Sequence, residues 1–187
     1  MIPVSEEMLK NPRRMLDALN PTNCTVWFSV PSLIVYALRM RALRETDLPA
    51  LRLISFGGEG FPKASLRALA KLMLPRVRML NVYGPTECTC ICSSYEVTED
   101  DLTSDELLPL GPIAPNFKHW VVDEQGGLVV DGKIGELYLG GPNVGVGYYR
   151  NPKKSSEVFV QNPEHSDYRD ICYRTGDLVR YDAERNQ

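Results

Sequence analysis

The heptapeptide Asn81-Val82-Tyr83-Gly84-Pro85-Thr86-Glu87 sets an aromatic ring, a hydroxyl and a carboxylate on one turn, directly after the apolar run Val77 to Val82. Such turns at the C-terminal end of a strand are where α/β proteins commonly present chemistry. Gly84 and Pro85 let the chain reverse within a residue or two. The face of Tyr83 could stack on a nucleobase, a contact worth about 1 to 3 kcal/mol, and the Thr86 hydroxyl could donate to a phosphate oxygen. Glu87 could ligate Mg²⁺, which takes one or two protein carboxylates and completes its shell with waters and phosphates. The same residues also suit a solvated turn whose Tyr packs in the core. A second constellation, Tyr173-Arg174-Thr175-Gly176-Asp177-Leu178, repeats the logic of hydroxyl, Gly and carboxylate. Asp177 could accept both hydroxyls of a ribose, or it is an ordinary turn aspartate. Gly57-Gly58-Glu59-Gly60 is a third candidate, although its spacing does not match the dinucleotide fingerprint.

The elements that must position these groups follow from periodicity. Ser5 can cap a short helix, and Asn11-Pro12 restarts it, with Met15, Leu16 and Leu19 on one face until Asn20-Pro21. Thr25 to Val30 is β-branched and aromatic, as expected of a strand buried on both faces. Pro31-Ser32 opens a helix with Leu33, Ile34, Ala37 and Leu38 at helical spacing. Leu51 to Phe56 repeats the strand pattern, and Leu66, Leu69, Ala70 and Met73 mark the next helix before the strand that ends in the heptapeptide. Strand, helix, strand, helix, strand predicts a parallel βαβαβ layer with right-handed crossovers, its strand ends sharing one edge. A Gly-rich turn beside an aromatic-and-carboxylate turn favours a small-molecule site there.

Beyond about Tyr95 the helical periodicity fades. Thr98 to Glu106 reads as an acidic solvated loop, Lys118 to Val122 and Ile134 to Leu139 as strands, and Asp123 to Gly127 and Asp131-Gly132 as turns. Asn151-Pro152 starts a brief helix, and Gln161 to Asp170 is a polar loop. The expected fold class is therefore α/β: residues 1–95 form the parallel layer, and 96–187 a β-rich, barrel-like subdomain carrying the Tyr173 to Asp177 turn.

At 187 residues, 43% hydrophobic and 24% charged, the chain suits one globular domain or two packed subdomains. A net charge of -3 supplies no field for nucleic acid or an anionic membrane, so neither partner is expected. No apolar run approaches the roughly 20 residues of a bilayer span, and Pro3, Glu6 and Glu7 do not suit a signal peptide; a cytoplasmic setting is expected. Cys88, Cys90 and Cys92 would share one face of a strand. With no Cys-x-x-Cys pair, and with His119 and His165 distant in sequence, they read as small strand residues rather than a thiolate metal site.

Asn81-x-Tyr83-Gly84-Pro85-Thr86-Glu87, then Gly135-Glu136-Leu137 with Gly140 and Gly147-Tyr148, then Tyr173-Arg174-Thr175-Gly176-Asp177-Leu178 resemble three successive core motifs of adenylate-forming enzymes. These include the adenylation domains of nonribosomal peptide synthetases, D-alanine:carrier-protein ligases and acyl-CoA synthetases. The likeness runs from about Thr25 to near the end of the chain, with motif order and spacing kept. It implies an ATP-dependent ligase that converts an amino or carboxylic acid into an acyl-adenylate and passes the acyl group to a carrier-protein thiol. An acyl-CoA synthetase, or a nucleotide-binding module without chemistry, are the alternatives.

By the same resemblance, Gly57, Gly58 and Glu59 would line the adenine and acyl pockets, and Asn81 and Gly84 belong to the nucleotide-binding motif. Tyr83 would stack on adenine, Thr86 would contact the α-phosphate of ATP or AMP, Glu87 would hold Mg²⁺, and Asp177 would take the ribose. Phe28, Ser55, Gly57, Val82, Cys90 and Ile91 fall where the family lines its acyl pocket, and Val146 stands where many members carry Arg. The family's phosphate loop with its Lys would lie upstream of these residues and its small C-terminal domain after Gln187, so the chain alone is expected to be inactive.

Overall fold

The computed structural model describes residues 2–129 and 132–182. Packing divides the chain into two units that interleave in sequence: Met1–Val82 with Tyr95–Pro109, and Tyr83–Ser94 with Leu110–Gln187. Composition suggests a single change of character near residue 95. In the structure the heptapeptide's turn packs with later residues, and the stretch after it packs with earlier ones.

In the first unit Ser5 caps α1 (Glu6–Leu9) by accepting from the Met8 amide, and Asn11 caps α2 (Pro12–Leu19) by accepting from the Arg14 amide. Met15 and Leu16 of α2 are buried. A sheet in the order β1-β2-β3-β4 follows, built from β1 (Val26–Ser29), β2 (Leu53–Gly57), β3 (Arg78–Tyr83) and β4 (Ser93–Glu96). β1 to β2 and β2 to β3 are parallel, with Ser29 opposite Phe56 and Gly57 opposite Val82, as a βαβαβ order requires.

The crossovers are α3 (Pro31–Arg39) and α4 (Lys63–Met73), and the apolar stripe of α4 is buried at Leu66, Leu69, Ala70 and Met73. Trp27, Ile54 and Met79 stand in one row across the sheet and join the same core as those helices. Val26 and Phe28, on either side of buried Trp27 in β1, are 42% and 59% exposed. β1 is thus not buried on both faces: it is the edge strand, and its apolar core belongs to one face.

Arg13 of α2 makes a bidentate contact with Asp47 at 2.8 and 2.9 Å and donates to the Ala42 carbonyl. Asn20 and the Arg44 amide complete the bonding of Asp47, which is 3% exposed. The acidic stretch after Thr98 is a short helix, α5 (Glu99–Thr103), rather than a solvated loop. Asp101 accepts from the amide and hydroxyl of Thr98, and Arg67 of α4 donates to the Leu102 and Ser104 carbonyls, bonds that composition does not reveal.

The second unit holds a curled antiparallel sheet in the order β5-β6-β8-β7. Its strands are β5 (Lys118–Val122), β6 (Ile134–Gly140), β7 (Phe159–Gln161) and β8 (Ile171–Arg180), with α6 (Pro152–Val158) before β7. The Asp123 carboxylate accepts from the amides of Gln125 and Gly127 and makes the turn after β5; Asp131 of the expected Asp131-Gly132 turn lies outside the described residues.

Two expectations fail here for conformational reasons. The Tyr173 to Leu178 stretch is part of the long strand β8 rather than a free turn, because β6 pairs with both ends of it, Tyr138 with Arg174 and Glu136 with Leu178, across a register shift. The three cysteines do not share a strand face. Cys88 ends a 3-10 turn, Thr89 and Cys90 have φ of 58° and 77°, and Cys90 is exposed while Cys88 and Cys92 are buried.

Candidate active site

In the second unit the heptapeptide's turn begins where β3 ends. Gly84 is required there by close approach: a Cβ on it would lie 1.6 Å from the Cys90 carbonyl oxygen. Pro85 leads into a 3-10 turn over Thr86–Cys88, closed by the Cys88 amide on the Pro85 carbonyl. The Cys92 amide then returns to the Tyr83 carbonyl at 2.8 Å, so the loop is pinned at its neck. Farther out, the Gly145 amide donates to the Glu87 carbonyl at 2.7 Å and the Thr89 hydroxyl to the Asn143 carbonyl at 2.9 Å.

Two carboxylates are held by phenols. The Tyr83 hydroxyl donates to Asp177 Oδ2 at 2.6 Å, joining residues 94 positions apart. Burial, with the Asp177 carboxylate beside it, pushes the Tyr83 phenol well above its ordinary pKa, so it remains a donor. The Tyr148 hydroxyl donates to Glu87 Oε1 at 2.5 Å, and that bond holds the Glu87 carboxyl below its ordinary value, with a further contribution from Tyr173. Phe159 stands between the two tyrosines, with ring centroids 5.6 Å from Tyr148 and 5.3 Å from Tyr173. Thr86 and Asp177 are exposed. Cys90 and Ile91 are exposed at the loop's far end.

Whether Glu87 suits a metal is decided by its donors. An ionised carboxylate is a hard oxygen ligand, and among the described residues no group of three His, Cys, Asp or Glu is gathered to hold an ion. The arrangement fits an ion that takes one protein carboxylate and fills its remaining positions with waters and substrate phosphates, the habit of Mg²⁺.

The first unit carries the remaining candidates. Gly57 faces the Val82 backbone so closely that a Cβ would stand 2.1 Å from the Val82 carbonyl oxygen. Gly58 and Glu59 are exposed. The Glu59 carboxylate accepts from the Ser32 amide at 2.6 Å, linking the turn after β2 to the first turn of α3, and hydrogen bonds from Ser32 hold it below its ordinary pKa. The Asn81 side chain donates to the Pro109 carbonyl at 2.8 Å. Phe28 is exposed, Ser55 half-buried and Val82 buried.

The sequence reading gives no role to Tyr148, Tyr173 or Glu136 beyond their motifs. Their position in the second and third motifs is the signal that marks them, but a hydroxyl's partner across 61 residues has no local sequence signature.

Comparison with known proteins identifies the family. Residues 1–149 match the family described as AMP-binding enzyme. The chain is 35% identical over 174 residues to the D-alanine--D-alanyl carrier protein ligase of Bacillus licheniformis, a match that covers 93% of this chain and 34% of the ligase. It is 37% identical over 179 residues to Malformin synthetase mlfA of Aspergillus luchuensis, covering 90% of this chain and 3% of the synthetase. The crystal structure of CmiS6 superposes with a TM-score of 0.87 at 36% identity, over 97% of this chain and 44% of CmiS6. The chain thus spans about a third of the carrier protein ligase it resembles. Among the described residues no helix is long and apolar enough to cross a membrane. Motif order, the mixed α/β fold and the matched relatives agree, and the chain belongs to the AMP-binding enzyme family.

Proposed function

We propose that the protein carrying this chain joins a small amino or carboxylic acid to the α-phosphorus of ATP and then passes the acyl group to the phosphopantetheinyl thiol of a carrier protein, with AMP leaving as the acyl-phosphate bond breaks. The observation that supports it best is the bond from Tyr83 to Asp177, which joins a residue of the first motif to one of the third within one unit. The carrier-protein acceptor rests on the name of the Bacillus licheniformis relative.

In the first step a carboxylate oxygen of the acid attacks the α-phosphorus, the bond to the β-phosphate breaks, and pyrophosphate leaves. The attacking carboxylate is already ionised at neutral pH, so the protein's work is alignment and neutralisation of phosphate charge rather than proton removal. In this reading the Tyr83 ring packs on adenine, Asp177 accepts the ribose hydroxyls and the Thr86 hydroxyl donates to the α-phosphate. Glu87, oriented by Tyr148, would hold Mg²⁺, which when bound neutralises phosphate charge. On the family resemblance, Phe28, Ser55, Val82, Cys90 and Ile91 are assigned to the acyl group, and Gly57, Gly58, Glu59, Asn81 and Gly84 to the nucleotide.

The 187 residues alone are proposed to lack activity, since the matched ligase devotes about two-thirds of its length to sequence outside the match. ATP-pyrophosphate exchange tests both parts, using the isolated chain and the full-length protein. The full-length protein should exchange in the presence of its acid, and Glu87→Ala should abolish the Mg²⁺-dependent rate. Robust exchange by the isolated chain would refute incompetence, and an unaltered Glu87→Ala rate would remove Glu87 from its role. AMP binding with no exchange on any acid of a broad panel would instead favour a module without chemistry.

A further inference from the structure

The register shift between β6 and β8 leaves three residues of β8, Thr175, Gly176 and Asp177, opposite Leu137 alone. Their backbone groups cannot be satisfied by an ordinary ladder, and side chains take over. The Thr175 hydroxyl donates to the Leu137 carbonyl at 2.8 Å and accepts from the Asp177 amide at 3.0 Å. The Gly176 amide donates to Glu136 Oε1 at 3.1 Å, and the other oxygen of the same carboxylate accepts from Arg174 Nη2 at 2.8 Å. The Arg174 guanidinium in turn lies over the Tyr138 ring, 5.6 Å from its centroid.

Glu136 therefore grips the bulge on either side of Thr175. Packing does not do this at Gly176, where φ is +79° and nothing lies within 4 Å of an added Cβ. One residue later comes the carboxylate that meets Tyr83.

We propose that Glu136 is a positioning residue: by holding the Gly176 amide and Arg174 together it aims the Asp177 carboxylate, and so sets how strongly the site prefers a nucleotide with ribose hydroxyls over one without them. The ribose part rests on the role given to Asp177 above.

The test compares AMP with 2′,3′-dideoxy-AMP by calorimetric titration of the full-length protein, alongside amide hydrogen exchange. Glu136→Ala should speed exchange at Gly176 at least tenfold while leaving the β5 amides of Lys118–Val122 protected. It should cut the preference for AMP about tenfold, the scale of one charge-assisted hydrogen bond, with dideoxy-AMP binding within about twofold of wild type. Glu136→Gln keeps an acceptor for the Gly176 amide and should retain most of that protection, which a purely charge-based role would not. Unchanged Gly176 exchange, or equal weakening of both nucleotides, would overturn the role of Glu136. If instead Asp177→Ala left the preference intact, ribose recognition by Asp177 would fall, whatever the exchange data showed for Glu136.

Discussion

Replacing Gly84 with Ala should damage the second unit out of proportion to the one carbon added. The new Cβ would stand 1.6 Å from the Cys90 oxygen, 2.6 Å from its carbonyl carbon and 2.7 Å from the Ile91 Cα, all backbone atoms that no rotamer change can move. An ordinary carbon-oxygen contact needs roughly twice the first distance, so the 88–92 backbone must retreat by more than an ångström. That retreat pulls on the bond from the Cys92 amide to the Tyr83 carbonyl at 2.8 Å and on the burial of Cys88 and Cys92. Losing a buried backbone hydrogen bond costs about 1 to 3 kcal/mol, and the disturbed packing of two small side chains adds about 1 to 2 kcal/mol. A total near 3 kcal/mol corresponds to a fall in Tm of about 6 to 12 °C for a domain of this size.

Two other glycines calibrate the measurement. Gly60 has nothing within 4 Å, so Gly60→Ala should be neutral or slightly stabilising. Gly176 has open space but a φ of +79°, so Gly176→Ala should cost only the strain of that conformation, about 1 to 2 kcal/mol. Thermal unfolding of the three variants should rank them in that order. A Gly84→Ala midpoint within 2 °C of the Gly60→Ala midpoint would show that backbone contact does not fix the loop.

Other expectations concern charge and thiols. Burial pushes the Asp47 carboxyl up, but Arg13, Asn20 and the Arg44 amide hold it below its ordinary value. A carboxyl depressed by folding stabilises fully above its unfolded pKa of about 3.9 and loses that contribution as pH falls through the lower folded value. Arg13→Met should therefore cost about 3 kcal/mol at neutral pH, a penalty that shrinks as pH falls through the folded pKa of Asp47, followed by circular dichroism of both proteins across pH; a penalty that stays constant into acid would contradict it. Among the cysteines, burial raises the thiols of Cys88 to about 12 and of Cys92 and Cys172 to about 11, whereas Cys90 is exposed. A thiol reagent at pH 8 should label Cys90 well before those three by mass spectrometry, and equal rates would refute their burial. Tyr148→Phe should weaken Mn²⁺ binding to the nucleotide complex, read by electron paramagnetic resonance, because Glu87 loses the hydroxyl that orients it; unchanged affinity would leave Tyr148 a packing residue.

What the sequence discloses and what it conceals divide along local and non-local lines. The stripe of Leu66, Leu69, Ala70 and Met73 and the caps Ser5 and Asn11 are readable because each depends on neighbours within a turn. The parallel order follows from alternation of elements alone. The exposure of Val26 and Phe28 was not readable, since an apolar strand looks the same at an edge as at the centre. The conformations of Thr89 and Cys90 are equally hidden: alternating cysteines suggest extended backbone, and the close approach of Gly84 to Cys90 that accompanies the turn has no signature in the cysteine spacing. At the candidate site the motifs named Tyr83, Glu87 and Asp177. The phenol that meets each carboxylate depends on bonds between residues 61 and 94 positions apart, and the bulge that delivers Asp177 on bonds between residues 38 and 40 positions apart.

The chain crosses from one unit to the other at Val82, returns at Tyr95 and leaves again after Pro109. No single proteolytic cut can hand over both units intact. Cleavage after Pro109 would carry Tyr83–Ser94, with Glu87 in it, away on the wrong piece. During synthesis the earlier unit likewise waits for β4 and α5 to leave the ribosome before its sheet can be finished. Dissecting this protein into separately expressed halves therefore requires a circularly rearranged or spliced gene rather than a truncation.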